Sequence, residues 1–144
     1  AKALGMSFID TDLVIQEREG KLLQEIIDLY GLDEFLKKEE NAIVSLNCKS
    51  TVIATGGSVV YSEKAMNHLK QNAIVIYLKI EYKEIERRIK NISTRGIAMN
   101  KGQSLLDLYN ERIPLYERYA DIIIDCSGKG MEKIIQEIIK MLKL

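Results

Sequence analysis

The chain has 144 residues and 16.4 kDa, which makes one domain with room for a real core. Its 47% hydrophobic and 29% charged residues are an ordinary soluble composition, and 21 Lys plus Arg against 21 Asp plus Glu speak against nucleic acid or an acidic partner. No apolar run approaches membrane-spanning length, no secretory signal is visible, and Cys48 and Cys126 stand far apart without metal-ligand spacing, so both read as small apolar fillers in a reducing cytoplasm.

In chain order, Ala1 to Leu4 reads as the end of a helix, with Gly5 as its C-cap. Ser7-Phe8-Ile9 is a short strand that ends in Asp10-Thr11-Asp12. These two carboxylates straddle one residue at a strand's C-terminal end, where a parallel sheet gathers its ligands. Leu13 to Glu19 is a short helix closed by Gly20. Leu22, Ile26, Ile27 and Tyr30 follow at helical spacing until Gly31 stops them. Asp33 is placed to cap the next helix, with Phe35, Ala42, Ile43 and Leu46 on its buried side. Its Lys37, Lys38 and Glu40 form a solvated face.

The chain is organised around Thr51-Val52-Ile53-Ala54-Thr55-Gly56-Gly57-Ser58. The apolar, β-branched run lacks alternation, which fits a strand covered on both faces in a parallel sheet. Its glycines allow a sharp turn and a close backbone approach, so Gly56-Gly57-Ser58 is a candidate site wall as well as a turn. Ser62 or Glu63 opens a helix to Gln71 that carries His68, the single histidine, read as a surface residue. Ala73 to Leu78 is the clearest strand, and Glu81 to Asn91 is helical, with Arg87 and Arg88 adjacent.

Asn91 to Gly102 is polar, holds Gly96 and Gly102, and carries Arg95 in its middle, which suits a mobile lid. Ser104-Leu105-Leu106-Asp107 matches a capping box and starts a helix through Tyr109 and Arg112, which Pro114 kinks or interrupts. Tyr109, Tyr116 and Tyr119 recur at near-helical spacing and read as packing residues. Ile122 to Ile124 is a strand, Asp125 to Gly130 a loop, and Met131, Ile134, Ile135, Ile138, Ile139 and Leu142 mark an amphipathic last helix whose stripe reads as core. Strands alternate with helices throughout, so the expected class is α/β, a three-layer α/β/α parallel sheet with right-handed crossovers. If the strands are neighbours, Asp10, Asp12, the glycine turn, Arg95 and Arg112 converge, a set suited to a small anionic or polyhydroxylated substrate together with phosphate.

Leu4-Gly5-Met6-Ser7-Phe8-Ile9-Asp10-Thr11-Asp12, Glu34-Phe35 followed by Glu39, Ala54-Thr55-Gly56-Gly57-Ser58, Tyr77-Leu78, Arg95 and Arg112-Ile113-Pro114-Leu115-Tyr116 come in the order and spacing of one family. Over essentially the whole chain the sequence resembles the shikimate kinases, in the nucleoside-monophosphate-kinase branch of the P-loop proteins. The resemblance implies one domain over 1–144, with substrate-binding helices at about 11–48 and a lid at about 91–103. It implies transfer of the ATP γ-phosphoryl group to the 3-hydroxyl of shikimate with magnesium, by a cytoplasmic monomer. By the same resemblance Asp12 holds the attacking hydroxyl and accepts its proton, and Asp10 serves the magnesium shell. Gly56 and Gly57 offer backbone to the substrate, Arg112 pairs its carboxylate, and Glu39 orients the substrate arginines. Arg95 reaches the phosphates with the lid, and Arg88 and Lys129 match adenine-side positions.

The sequence departs from the family in four places. The P-loop motif G-x-x-x-x-G-K-[ST] does not occur in it, and the resemblance puts that motif before Ala1. The expectation is that roughly two dozen residues are missing, including a strand between those of Ala54 and Tyr77, and that the chain as written does not turn over ATP. Leu36 stands where the family has a second carboxylate-binding arginine, a loss of about 1.5–3 kcal/mol. Ser58 replaces a third glycine, and Gly96 a lid proline. Leu36 leaves the alternative of a related small-molecule kinase with another acceptor, and the absent P-loop motif that of a catalytically silent homologue that binds a ligand or partner.

Overall fold

Four short strands build two parallel ladders in this computed structural model, which describes residues 1–89 and 95–143. β1 (Ser7–Asp10) pairs with β2 (Thr51–Ala54), Ser7 opposite Thr51 and Asp10 opposite Ala54. β3 (Ile76–Lys79) pairs with β4 (Ile122–Asp125), Ile76 opposite Ile122 and Lys79 opposite Asp125. Every pair is parallel and every connection contains a helix, as an α/β fold requires. Among the described residues no ladder joins β2 to β3, the two strands between which the resemblance puts a further one.

Seven α-helices are described: α1 (Thr11–Glu19), α2 (Leu23–Tyr30), α3 (Leu32–Val44), α4 (Glu63–Asn72), α5 (Tyr82–Arg88), α6 (Leu105–Tyr119) and α7 (Met131–Met141). Short 3-10 turns lie at Lys2–Leu4 and Gly57–Tyr61. The caps explain most boundaries. Ser62 Oγ accepts from Ala65 N to start α4, and Ser104 and Asp107 close the expected capping box on α6. Two starts differ from expectation. The Asp10 carboxylate accepts from Asp12 N at 3.0 Å, so α1 begins at Thr11 and carries Asp12 in its first turn. α3 begins at Leu32 behind Gly31, leaving Asp33 in the first turn as a favourable charge at the helix's positive end.

α6 runs through Pro114 to Tyr119 without the expected break. The proline ring costs one helical hydrogen bond, at the carbonyl of Asn110, and Asn110 is exposed to water, which can replace it.

Two buried clusters lie on either side of α3. Phe35 and Ala42 join Ile15, Ile26 and Ala98 in one, and Ile43 joins Val59, Val60, Ala65, Met66 and Tyr119 in the other. Leu36 and Leu46 pack at their edges. His68 is half-buried rather than on the surface, with Nε2 2.7 Å from the Leu46 carbonyl, and ties α4 to the end of α3. The isoleucine stripe of α7 is not the core that its pattern suggested. No described residue of α7 is buried, and Met131 and Ile135 are exposed, because the helix packs on β4 and a two-stranded ladder is too narrow to cover the stripe.

Candidate functional site

The register of β1 with β2 sets the site. With Asp10 opposite Ala54, both strands end level, and the start of α1 meets the turn at Gly56. A Cβ on Gly56 would stand 2.9 Å from Asp12 Oδ1 and 3.4 Å from Glu39 Oε2. A Cβ on Gly57 would stand 2.6 Å from Tyr116 Oη and 2.7 Å from Arg112 Nη1. A side chain at either position would displace the polar ends of these residues, and neither glycine has a left-handed φ. The fold brings Asp12, Glu39, Gly56, Gly57 and Arg112 together around the turn.

α6 delivers Arg112 and Tyr116 from one face, four residues apart. Tyr116 Oη donates to the Gly57 carbonyl at 3.0 Å. Arg112 Nη2 donates to the Ala98 carbonyl at 2.7 Å, and Nε to Tyr61 Oη at 3.3 Å. The guanidinium carbon lies 5.4 Å from the Tyr61 ring centre, within cation–π range. Tyr61 in turn donates to Glu111 at 2.7 Å, and Glu111 accepts from Gln103 at 2.8 Å.

Burial raises the pKa of Asp12, and the Asp10 charge adds to the shift. Burial also pushes Glu39 from 4.5 to about 7. Asp12 adds to that rise, while the Ser58 hydroxyl and the Arg112 charge hold it down. Ser58 Oγ donates to Glu39 Oε1 at 2.7 Å. Glu39 is thus poised to hold or release a proton near neutral pH, and Asp12 holds its proton more readily than an ordinary aspartate.

The oxygens at the start of α1 fit a hard cation. Asp10 spends one oxygen on the Asp12 amide, and the buried Thr11 hydroxyl has no hydrogen-bond partner among the described residues. Oxygen donors of this kind suit magnesium, which keeps most of its waters and phosphate oxygens around a few carboxylates. No cluster of three or more His, Cys, Asp or Glu ligands occurs among the described residues, so protein side chains alone form no cage.

Residues 91–94 of the expected lid lie outside the described residues. From Arg95 onward the segment is docked. Gly96, at φ 71°, sits where a Cβ would be 2.6 Å from Leu23 Cβ, and its amide donates to Gln24 Oε1 at 3.2 Å. Ala98 is buried in the cluster of Ile15, Ile26 and Phe35, and Arg95 is exposed on the preceding turn.

Arg88 and Lys129 are not part of the acceptor cluster. Arg88 pairs with Glu84 at 2.5 Å and Lys129 with Glu137 at 3.0 Å. Both charges do act on the buried Cys126 thiol, whose pKa burial pushes up, so they share one side of the β3–β4 half. Tyr77 stacks on Tyr116 at 5.1 Å and Tyr82 on Tyr109 at 5.5 Å, as packing residues.

Two site residues escaped the sequence reading, and Ser58, expected in the site wall, has an unforeseen partner in Glu39. Tyr116 had a signal in its position one turn after Arg112. Tyr61 had none, since nothing local separates it from any partly buried tyrosine.

The sequence profile of shikimate kinase matches residues 1–143. The shikimate kinase of Haemophilus influenzae (strain PittEE) is 36% identical over 146 residues, covering 99% of this chain and 81% of its own length. That of Thermodesulfovibrio yellowstonii is 35% identical over 143 residues, covering 97% and 82%. Among solved structures, the shikimate kinase of Acinetobacter baumannii in complex with shikimate superposes with a TM-score of 0.85 at 27% identity, covering 99% of this chain and 82% of that one. The Aquifex aeolicus shikimate kinase superposes with a TM-score of 0.82 at 28% identity, covering 99% and 84%. The likeness covers nearly the whole chain, and the chain belongs to the shikimate kinase family.

Proposed function

We propose that this protein transfers the γ-phosphoryl group of ATP to the 3-hydroxyl of shikimate. The observation that carries the reading is the meeting of Asp12 and Arg112 across Gly56 and Gly57, a base and a carboxylate-binding fork on the two sides of one narrow turn. Phosphoryl transfer asks for positioning and charge neutralisation more than for covalent chemistry. Asp12, with its raised pKa, orients the acceptor hydroxyl and takes its proton. Arg112 receives the acceptor carboxylate through Nη1, which lies over Gly57 while Nη2 holds Ala98. Residues 11–48 supply the acceptor side and 91–103 the lid, from which Arg95 reaches the phosphates.

Asp10 belongs to the magnesium shell, and bound magnesium supplies neutralisation of phosphate charge. Arg88 and Lys129 belong to the adenine side. Turnover needs a phosphate-cradling G-x-x-x-x-G-K-[ST] segment, and none occurs in the 144 residues shown. Free Cys48 and Cys126 fit a reducing cytoplasm, and a monomer is the expected state. No described helix is long and apolar enough to cross a membrane.

A second reading, a kinase for another small acceptor, draws on Leu36, which brings no donor to the place where a second arginine is expected. Calorimetric titration with shikimate and with gluconate separates the two. Micromolar to millimolar binding of shikimate alone supports the first. Binding of gluconate with none of shikimate overturns it.

A further inference from the structure

Glu39 and Ser58 form a buried pair in the wall of the acceptor site. Glu39 is 3% exposed and Ser58 5%, and Glu39 is the one charged side chain of that depth among the described residues. A buried carboxyl without partners is costly, so its hydrogen bonds decide where it points. Among the described residues its side-chain donor is Ser58, onto Oε1 at 2.7 Å, while Oε2 lies beside Gly56. Leu36, less than one turn earlier on α3, lines the same cavity of about 160 Å³ as Glu39, Ser58 and Tyr61, and has nothing to donate. The Ser58 backbone is outside the left-handed region, so the position tolerates a side chain and spends it on Glu39.

We propose that Ser58 is a positioning residue of the acceptor pocket, whose hydroxyl holds Glu39 with one oxygen turned toward the Gly56 turn and thereby sets the charge that an arriving acceptor carboxylate meets. The acceptor half of this statement rests on the shikimate reading above. The groups facing Glu39 are Asp12 from α1, Arg112 and Tyr116 from α6, Tyr61 from the 3-10 turn, and Lys37 and Glu40 on its own helix. α2 brings Tyr30, which lies against Lys38, and α4 brings His68, held at the Leu46 carbonyl. An acceptor carboxylate on Arg112 cancels the positive charge that favours ionised Glu39 and adds a negative one. Glu39 therefore takes up a proton as the acceptor binds, and affinity falls as pH rises through its titration. The Ser58 hydrogen bond favours the ionised form, so removing it moves that titration upward.

The test uses Ser58→Ala, with Ser58→Gly as a second hydroxyl-free variant should the first fail to fold, Ser58→Thr as the rescue, and Glu39→Gln as the non-titrating background. The first readout is ligand-free, the midpoint of the Glu39 carboxyl ¹³C resonance against pH. The second is the shikimate dissociation constant by calorimetry between pH 6 and pH 8. The expected result is a midpoint at least about half a unit higher in Ser58→Ala, restored in Ser58→Thr. Wild-type affinity should weaken several-fold from pH 6 to 8, stay flat in Glu39→Gln, and be unaffected by Ser58→Ala in that background. An unmoved midpoint overturns the hold of Ser58 on Glu39. A Ser58→Ala loss of affinity that persists undiminished in Glu39→Gln overturns the link to the acceptor. No shikimate binding by the wild type sinks the acceptor reading itself, and the ligand-free midpoint still decides the positioning role.

Discussion

Around β1 and β2 the polar side chains are buried or half-buried, with Glu39 and Ser58 bonded to each other, whereas around β3 and β4 the charged ones are paired nearer the surface. In the first region Asp12, Glu39, Ser58 and Arg112 meet around two glycines whose missing side chains let these polar ends approach. In the second, Arg88 and Lys129 sit in exposed or half-exposed ion pairs, and α7 buries no residue. Burial separates the two chemically. Desolvation lifts the pKa values of Asp12 and Glu39, while exposed Asp121 and Asp125 are held below the usual carboxylate range by hydrogen bonds from nearby amides and side chains. Proton handling therefore belongs to the enclosed half, and the open half contributes charge that water already screens.

The sharpest way to break this contrast is catalytic. In a chain that also carries the phosphate-cradling segment, Asp12→Asn should lower kcat for phosphoryl transfer to shikimate about 10²- to 10⁴-fold. Arg88→Ala and Lys129→Ala should each change the KM for ATP about tenfold or less. Steady-state kinetics with both substrates varied reads all three. An Asp12→Asn enzyme with near-normal kcat would remove the base from the enclosed half.

Stability offers the next contrast. Phe35→Ala empties a site that is 2% exposed and should cost about 3–5 kcal/mol in denaturant unfolding. Ile135→Ala, on the exposed face of α7, should cost under about 1 kcal/mol. Equal losses would mean that α7 is covered in solution.

The pH dependence of stability follows from Glu39. Its folded value of about 7 lies above the 4.5 of an ordinary glutamate, so the stability involved is fully present below pH 4.5 and is lost as pH rises through 7. The size is up to about 3 kcal/mol. Asp12 acts in the same direction, so the measurement is the difference between wild type and Glu39→Gln across pH 4 to 8. A difference that does not vary with pH would place Glu39 in water. The smaller effects concern single hydrogen bonds. Arg112→Lys should weaken shikimate binding by about 1.5–3 kcal/mol in calorimetry, because the single ammonium of lysine cannot hold the Ala98 carbonyl and the acceptor carboxylate in the fixed geometry of two guanidinium nitrogens. Tyr116→Phe, which removes the bond to the Gly57 carbonyl, should cost about 0.5–1.5 kcal/mol.

Local chemistry made much of this molecule legible from its sequence. The strand at Thr51–Ala54, half-buried rather than covered on both faces as its pattern suggested, the capping box at Ser104, the glycine stops and the paired aspartates at the end of β1 are each written in a few neighbouring residues. Ordered motifs also carried the family. What the tertiary structure decided were matters of distance. It made Asp10 a helix cap, let α6 run on through Pro114, half-buried His68 and left the α7 stripe only half-covered. It also joined Ser58 to Glu39, 19 positions apart, and Tyr61 to Arg112, 51 apart. A residue's pattern along the chain states what it can bury or bond. Which surface covers it and which partner reaches it depend on elements that packing alone brings near.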